Sequence, residues 1–472
     1  MINADITIVG GGIAGLISGA LLSKAGKKVV VLERTGEFGG LFKMGRAFQT
    51  EHYFGAHHFA GINKNCIIGK VLEEVGISLS SDFEKVRHMD LLHEREVFHV
   101  PLELNELEKY LKENYPREDG IEPFFARIKE YHGYFCDGDE KGLLKMFLET
   151  SKMSYLELLQ QYFSKEEVIY ILTMLCPGYG AVGFHGVAFN NLSLLVSYGL
   201  GSGYAKESNS TIVQKIIDFA KENGCRFMAE TECIGMNVEE GRFQGLRCKH
   251  KGEELELRSK VVLLAAYPFN ILEEHLNDTR LWKKIERFET GASVIRICGR
   301  LSSAEGLSEG DTVYMGNHNM DTLDDHIFLE AHSKSPVYMM HIKTRGVHPA
   351  VMFTFLVNSD GKSRIPKAEL MDIIERDFPE IVSRMPESLI LYDRIYKEIS
   401  NTESGAAFGW ERTPYVYTHT NSFAPKLKEI EGVYGAGNWF TDYGIYGAVR
   451  TADKACKKIL SDLGEPERSC KS

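Results

Sequence analysis

The sequence predicts an α/β chain. A dinucleotide-binding domain is assembled from separated stretches, and a second domain of antiparallel sheet plus helices is interleaved between them. Three observations predict it. A strand–turn–helix–strand pattern with glycines at fixed spacing opens the chain. A second glycine-rich stretch, followed by a helical pattern, closes it. Between them lie a helix-rich stretch and a set of strand-like runs that belong to neither.

The opening elements come first. Residues 5–9 (DITIV) read as a short buried strand that runs into Gly10-Gly11-Gly12-Ile13-Ala14-Gly15, a G-x-G-x-x-G turn. A helix follows with Leu16, Ile17, Ala20 and Leu21 on its apolar side, then a strand over 29–32 ending in the acid Glu33. Each part has a mechanical reason. Gly10 permits the tight turn, Gly12 lets backbone N–H groups approach a pyrophosphate, and Gly15 lets the helix pack close to the strand. The helix start at Ile13 and Ala14 presents unpaired donors and partial positive charge to phosphates, and Glu33 can accept from a ribose hydroxyl. This context makes the turn a Rossmann-like dinucleotide site.

The remainder of the chain selects the dinucleotide. Gly39-Gly40 and Leu41 follow six residues after Glu33, and a second glycine-rich stretch spans 432–438 and 443–448. A nicotinamide enzyme needs no second glycine site at its far end, whereas FAD lying extended does. Its adenosine would sit on the first turn. Its ring would reach Gly437, Asn438, Gly444, Ile445 and Ala448, at the start of a helix expected over roughly 447–460, whose N-terminus favours negative charge on the reduced ring.

With these residues in view, the chain resembles the flavin amine oxidase superfamily, on its N-terminal pattern, Gly39-Gly40 and GVYGAGNWFTDYGIYGAVRTADKA. The segments GAAFGWERTP and CPGYGAVGF are similar to phytoene desaturases, carotenoid isomerases and retinol saturases. Three positions depart from the family pattern. Leu41 stands where a basic residue is usual, Asn438 where an acid is usual, and GSGYAKESNST dilutes a glycine-rich run. The resemblance implies bound FAD. It places Arg34 near the adenosine, Cys233 of the strand near 231–234 against the adenine, and Ala266 at the end of the strand over 260–266 beside the cofactor. It also implies that the stretch after the glycine pair runs toward the flavin, which makes His57 and His58 of YFGAHHFAG candidates to relay a proton. Tyr446, just before Gly447, is the third catalytic candidate. Trp439 fits core packing or a flavin-edge contact, and Glu51 and His52 fit a solvated or loop-capping role.

Composition sets the outer limits. The chain has 472 residues, 43% hydrophobic and 26% charged, with a net charge of −11. That is long enough for two cores, and its acidity argues against nucleic-acid binding. No apolar run approaches a membrane span, so peripheral membrane contact is not indicated, and a cytoplasmic location is expected. The nine cysteines form no C-x-x-C pair, so no metal site is expected and isolated reduced thiols are.

The expected FAD-binding domain comprises 1–80, 205–285 and 425–472; the substrate domain comprises 81–204 and 286–424. In the latter, residues near 104–193 have helical periodicity, and Ser154…Glu157 and Ser164…Glu167 read as capping boxes. SVIRICGRL, HIFLEAH, VYMMHIKT and AVMFTFLV read as strands of a cavity floor, and Met340, Phe353 and Phe355 as a stripe that lines the cavity or fills the core. The expected function is hydride transfer between a C–H bond of a hydrophobic, polyene- or isoprenoid-like small molecule and flavin N5. The alternatives are amine oxidation, non-redox chemistry like that of UDP-galactopyranose mutase, and flavin-free lipid binding like that of Rab GDP-dissociation inhibitors.

Overall fold

The computed structural model describes residues 2–93, 96–175, 186–288, 291, 293–316, 336–344, 348–357, 365–391, 425–440 and 444–464. GAAFGWERTP, CPGYGAVGF, HIFLEAH and Tyr443 lie outside these residues.

At the centre of the dinucleotide domain is a five-stranded parallel sheet. Its order is Arg226–Met228, Val29–Leu32, Ile6–Val9, Val261–Leu264 and Val433–Gly435. It therefore draws one or more strands from each of three separated stretches. The strands Ile6–Val9, Val29–Leu32 and Val261–Leu264 are buried along their whole length, as a parallel sheet covered on both faces requires, and they are accordingly Val, Ile and Leu with little alternation. The first helix, Ile13–Lys24, packs against the sheet and against the C-terminal helix, Gly444–Asp462. Gly15 makes the close approach possible: a Cβ there would sit 1.9 Å from the Gly10 carbonyl oxygen. The C-terminal helix starts at Gly444, three residues before the expected Gly447, and buries Ile445, Ala448, Val449, Ala452 and Ile459. A meander over 231–258 packs on one face of the sheet, with its first turn at the expected Glu239–Gly241.

The interleaved domain holds a seven-stranded sheet in the order Glu387–Leu391, Ser293–Arg300, Ala350–Val357, Tyr338–Lys343, Gly310–Tyr314, His88–His93 and Glu96–Pro101. All its pairings are antiparallel except that of Gly310–Tyr314 with His88–His93. Its two faces differ, because successive residues of a strand point to opposite sides. One face places Ile295, Ile297, Met340, Phe353 and Phe355 in a core beneath the helix Lys367–Asp377. The Met340–Phe353–Phe355 stripe is thus core filling. The other face carries Val294, Arg296, Asp311 and His341 toward the dinucleotide domain. Helices over 104–199 form the second layer, and the capping box of Ser154 with Glu157 is present in full. Ser164 makes no such box: its hydroxyl and N–H both donate to Glu118, and the helix begins at Glu166.

Cys66 and Cys136 form a disulfide, a correction to the expectation of reduced thiols throughout. Its partners are 70 residues apart, a separation that carries no local signal. No helix among the described residues is long and apolar enough to cross a membrane.

Candidate functional site

The front of the site is built by backbone conformation. Gly10 turns the chain at φ +110°, and a Cβ there would meet Ala265 and Ala266 at under 3 Å. Gly12 is the N-cap of the first helix, and a Cβ on it would have nothing within 4 Å. The space in front of Gly12 is therefore open, as a backbone that cradles a phosphate requires. Glu33 holds the turn together. One carboxylate oxygen accepts from the Gly11 N–H at 2.9 Å, and the other accepts from the Thr35 N–H and hydroxyl at 2.9 and 3.0 Å. A lone pair remains on the oxygen bonded to Gly11 for a ribose. Gly39 and Gly40, both at positive φ, lie against Gly11 and Gly12 through the Gly39 N–H to Gly11 carbonyl bond.

A single cavity runs from this turn to the seam between the domains and encloses about 1410 Å³ of space, open in part to solvent. Of the expected cofactor residues, Gly10, Gly12, Ile13, Ala14, Glu33, Gly39, Gly40, Leu41, Ala266, Gly437, Asn438, Gly444, Ile445 and Ala448 line it. The two glycine-rich ends of the chain thus face one space. Gly15 acts from behind the wall. Arg34 is exposed and is not among the residues that line this cavity. Cys233 is also off the cavity, facing Cys248 across the meander with its thiol toward the Gly235 carbonyl. The adenine-side expectation for these last two finds no support in the geometry.

The far end of the cavity is lined by Gly55, Ala56, His57, His58, Tyr198, Tyr267, Val294, Arg296 and Trp439. Tyr267 and Trp439 pack edge to face at 4.9 Å. His57 and His58 belong to a buried polar cluster at the seam of the sheets. Asp311 and His341 are register partners on neighbouring strands, as are His58 and Tyr204 in a small sheet beside them. Asp311 Oδ1 lies 3.0 Å from His57 Nε2 and 2.9 Å from His341 Nδ1, and Oδ2 accepts from the Tyr204 hydroxyl at 2.7 Å. His58 Nδ1 is 3.6 Å from the same carboxylate. Burial pushes the Asp311 carboxyl upward, but the charge and hydrogen bonding of His57 and His341 outweigh it and hold the group well below its ordinary range. Burial lowers His57 and takes His58 to about 3, against the opposing pull of Asp311. With Asp311 held ionised and His57 and His58 both lowered by burial, the cluster sets a carboxylate beside these two neutral imidazoles at neutral pH.

The donor atoms of His57, Asp311 and His341 lie within 4.8 Å of one another, close enough for a cation. Metal-bound histidines almost always donate their second ring N–H to a partner. Among the described residues His57 Nδ1 and His341 Nε2 are buried without one, so hydrogen bonding to Asp311 accounts for the arrangement. His52, expected to be solvated or loop-capping, is buried rather than solvated, and burial lowers it to about 4. Tyr446 does not reach the cavity. Its hydroxyl donates to the Phe135 carbonyl at 2.9 Å and its ring packs on Phe135, tying the C-terminal helix to the helix Ile121–Asp137. Among the described residues it is not part of this cavity's wall.

Arg296 was not singled out by the sequence. It is 5% exposed and lines the far end. Its Nη1 donates to the carbonyls of Tyr53 at 3.0 Å and Gly55 at 2.6 Å, which fixes the loop leading into His57. Alternation along a strand of the expected floor was the available signal, since SVIRICGRL puts Arg296 on the face opposite Ile295 and Ile297.

Comparison with known proteins follows the same lines. Residues 8–75 match the NAD(P)-binding Rossmann-like domain family. The chain is similar to human all-trans-retinol 13,14-reductase, 25% identical over 302 residues covering 58% of this chain and 48% of that one. It is also similar to the inactive all-trans-retinol 13,14-reductase of Danio rerio, 23% identical over 72% of this chain and 62% of that one. Phytoene desaturase of Phycomyces blakesleeanus is 24% identical over 50% of this chain and 43% of that one. The chain spans about half the length of the human reductase. Among solved structures, cyclohexylamine oxidase of Brevibacterium oxydans superposes with a TM-score of 0.62 at 14% identity, covering 98% of this chain and 100% of that one. The chain is thus similar to retinol 13,14-reductases and to a phytoene desaturase over part of its length, and it has the fold of cyclohexylamine oxidase.

Proposed function

We propose that this protein is an FAD-dependent oxidoreductase that moves a hydride between a C–H bond of a hydrophobic substrate and the flavin, in desaturation, saturation or isomerisation of a polyene- or isoprenoid-like molecule. One observation carries the reading: a single cavity is lined at one end by the Gly10–Gly15 turn and by Gly437–Ala448, and at the other by the sheet of the interleaved domain. A nicotinamide dinucleotide has no use for the second glycine-rich wall.

The residues present fit FAD. The open face of Gly12 and the helix start at Ile13 and Ala14 would hold the pyrophosphate, Glu33 the ribose, and Asn438 with the helix start at Gly444 the ring end. When bound, the flavin supplies the hydride acceptor or donor. The protein's own part is to position the substrate, exclude water and handle a proton. Ile13, Ala14, Leu41, Phe42, Val294 and Ile445 give the cavity apolar walls suited to a hydrophobic body. His57, neutral and oriented by Asp311, has one ring nitrogen left without a partner, and is the group in the wall suited to take up or return a proton as the C–H bond reacts.

The test is anaerobic. The purified yellow protein is mixed with polyenes, isoprenoids or amines, oxidised or after chemical reduction, and the blue absorbance band is followed. Bleaching or recovery with apolar polyenes and not with amines is expected. Bleaching by amines alone would replace the reading with amine oxidation, and a colourless protein that takes up no FAD would favour flavin-free lipid binding.

A further inference from the structure

We propose that Arg296 anchors an anionic oxygen of the substrate, so that the hydrophobic molecule handled in this cavity carries a carboxylate. The inference rests on the proposed function above, and narrows its substrate class.

Arginine offers five N–H donors in a planar fork and keeps its charge at any physiological pH. In Arg296 the two donors of Nη1 are spent on the carbonyls of Tyr53 and Gly55. Nε is buried with no partner, and Nη2 has none among the described residues. Among those residues, no carboxylate lies within 4.0 Å of the guanidinium. The nearby buried anion, Asp311, is already taken by His57, His341 and Tyr204. A buried charge without a counter-charge is costly, and folded proteins normally supply one. Nε is sealed in the interior, which leaves Nη2 as the donor that can give a charge-assisted hydrogen bond to an anionic oxygen.

The position also favours substrate over coenzyme. Arg296 lies on the strand Ser293–Arg300 of the interleaved domain, whereas the residues suited to FAD lie on the dinucleotide domain and the C-terminal helix. The uncharged ring carbonyls of a flavin would leave a full guanidinium charge uncompensated. A carboxylate would neutralise it, with the apolar body of the molecule lying along Val294, Tyr198 and Tyr267.

The experiment compares one apolar skeleton with three end groups. All-trans-retinoic acid, its methyl ester and all-trans-retinol are titrated into the FAD-loaded protein, and binding is read from perturbation of the flavin spectrum and from the retinoid's own absorbance. Wild type is expected to bind the acid about tenfold to a hundredfold more tightly than the ester or the alcohol, the range for hydrogen bonds to charged groups. Arg296→Met should erase the preference while FAD content stays at the wild-type level, and Arg296→Lys should keep part of it. Equal binding of acid and ester by wild type, or no binding of the acid, overturns the proposal. So does an Arg296→Met variant that keeps the preference while its FAD content falls, which would assign the arginine to the coenzyme. If Arg296→Met does not fold, the wild-type comparison and Arg296→Lys still decide. A wild-type protein that lacks FAD yet prefers the acid by retinoid absorbance would defeat the flavin reading and leave the anchor standing.

Discussion

Acid should destabilise this protein well before its carboxylates titrate, and the histidines of the seam set the amount. His52 and His58 are buried, and burial lowers them to about 4 and about 3. His57 is lowered by the same cause. In the unfolded chain each returns to about 6.5. The unfolded state therefore binds more protons below that value, so stability is present above pH 6.5 and is lost as pH falls toward the folded-state values. Between pH 7 and pH 5, a histidine with these two limits removes about 2 kcal/mol. His52 and His58 together remove about 4, and His57 adds in the same direction. Asp311 contributes nothing in this window. Its lowered pKa gives stability that is complete above the unfolded carboxyl value near 4 and lost only below it. Against a typical total of about 5–15 kcal/mol, the expected loss is a large share. Urea unfolding of the FAD-loaded protein at pH 7, 6 and 5, followed by far-ultraviolet circular dichroism, measures it, and His58→Gln should flatten the slope by about 2 kcal/mol over the same interval. A midpoint that does not move between pH 7 and pH 5 would refute the reasoning, because it would mean that these imidazoles are charged or solvated in the folded protein.

Other outcomes follow from single contacts. Gly12→Ala adds a Cβ into open space at φ −72°. It should change stability by less than about 1 kcal/mol while weakening FAD binding about tenfold or more, since the methyl occupies the phosphate face; chemical unfolding and FAD titration separate the two effects. Gly15→Ala should instead destabilise the fold itself by about 2 kcal/mol or more, because its Cβ meets the Gly10 carbonyl. Tyr446→Phe should cost about 1 kcal/mol for the lost bond to Phe135 and leave FAD binding and turnover unchanged; a selective loss of turnover would return Tyr446 to the catalytic candidates. Cys66→Ser should cost about 4 kcal/mol in unfolding under non-reducing conditions, from a closed loop of 70 residues, and thiol titration of the denatured, unreduced wild type should find the pair blocked.

What could be read from the sequence was local. The front of the cavity is legible because the G-x-G-x-x-G turn, its helix and Glu33 lie within about thirty consecutive residues, and each glycine has a steric reason that spacing alone reveals. The rear wall is legible for the same reason, although the C-terminal helix begins at Gly444 and not at Gly447. The polar seam was out of reach. Nothing near His57 in sequence points to Asp311 or His341, which meet it through strand register more than 250 residues away. The same holds for Arg296, whose role depends on which face of a strand turns toward the cavity, and for the Cys66–Cys136 bridge. Glu118 displaced Glu167 at Ser164 because a tertiary partner satisfied the helix start first. Tyr446 was placed near the ligand by adjacency to a glycine motif and Cys233 by the resemblance, and neither decides which face of a helix or hairpin a side chain takes.

The most direct test of the central claim is to identify and count the coenzyme. Protein purified under native conditions is denatured, its released cofactor is identified by chromatography and mass, and the apoprotein is titrated with FAD, FMN and NAD. The account expects FAD at about one equivalent per chain, weaker binding of FMN and NAD, and loss of FAD affinity when either Gly12 or Gly437 is given a side chain. Release of NAD in place of FAD, or undiminished FAD affinity with a side chain at Gly437, would contradict it.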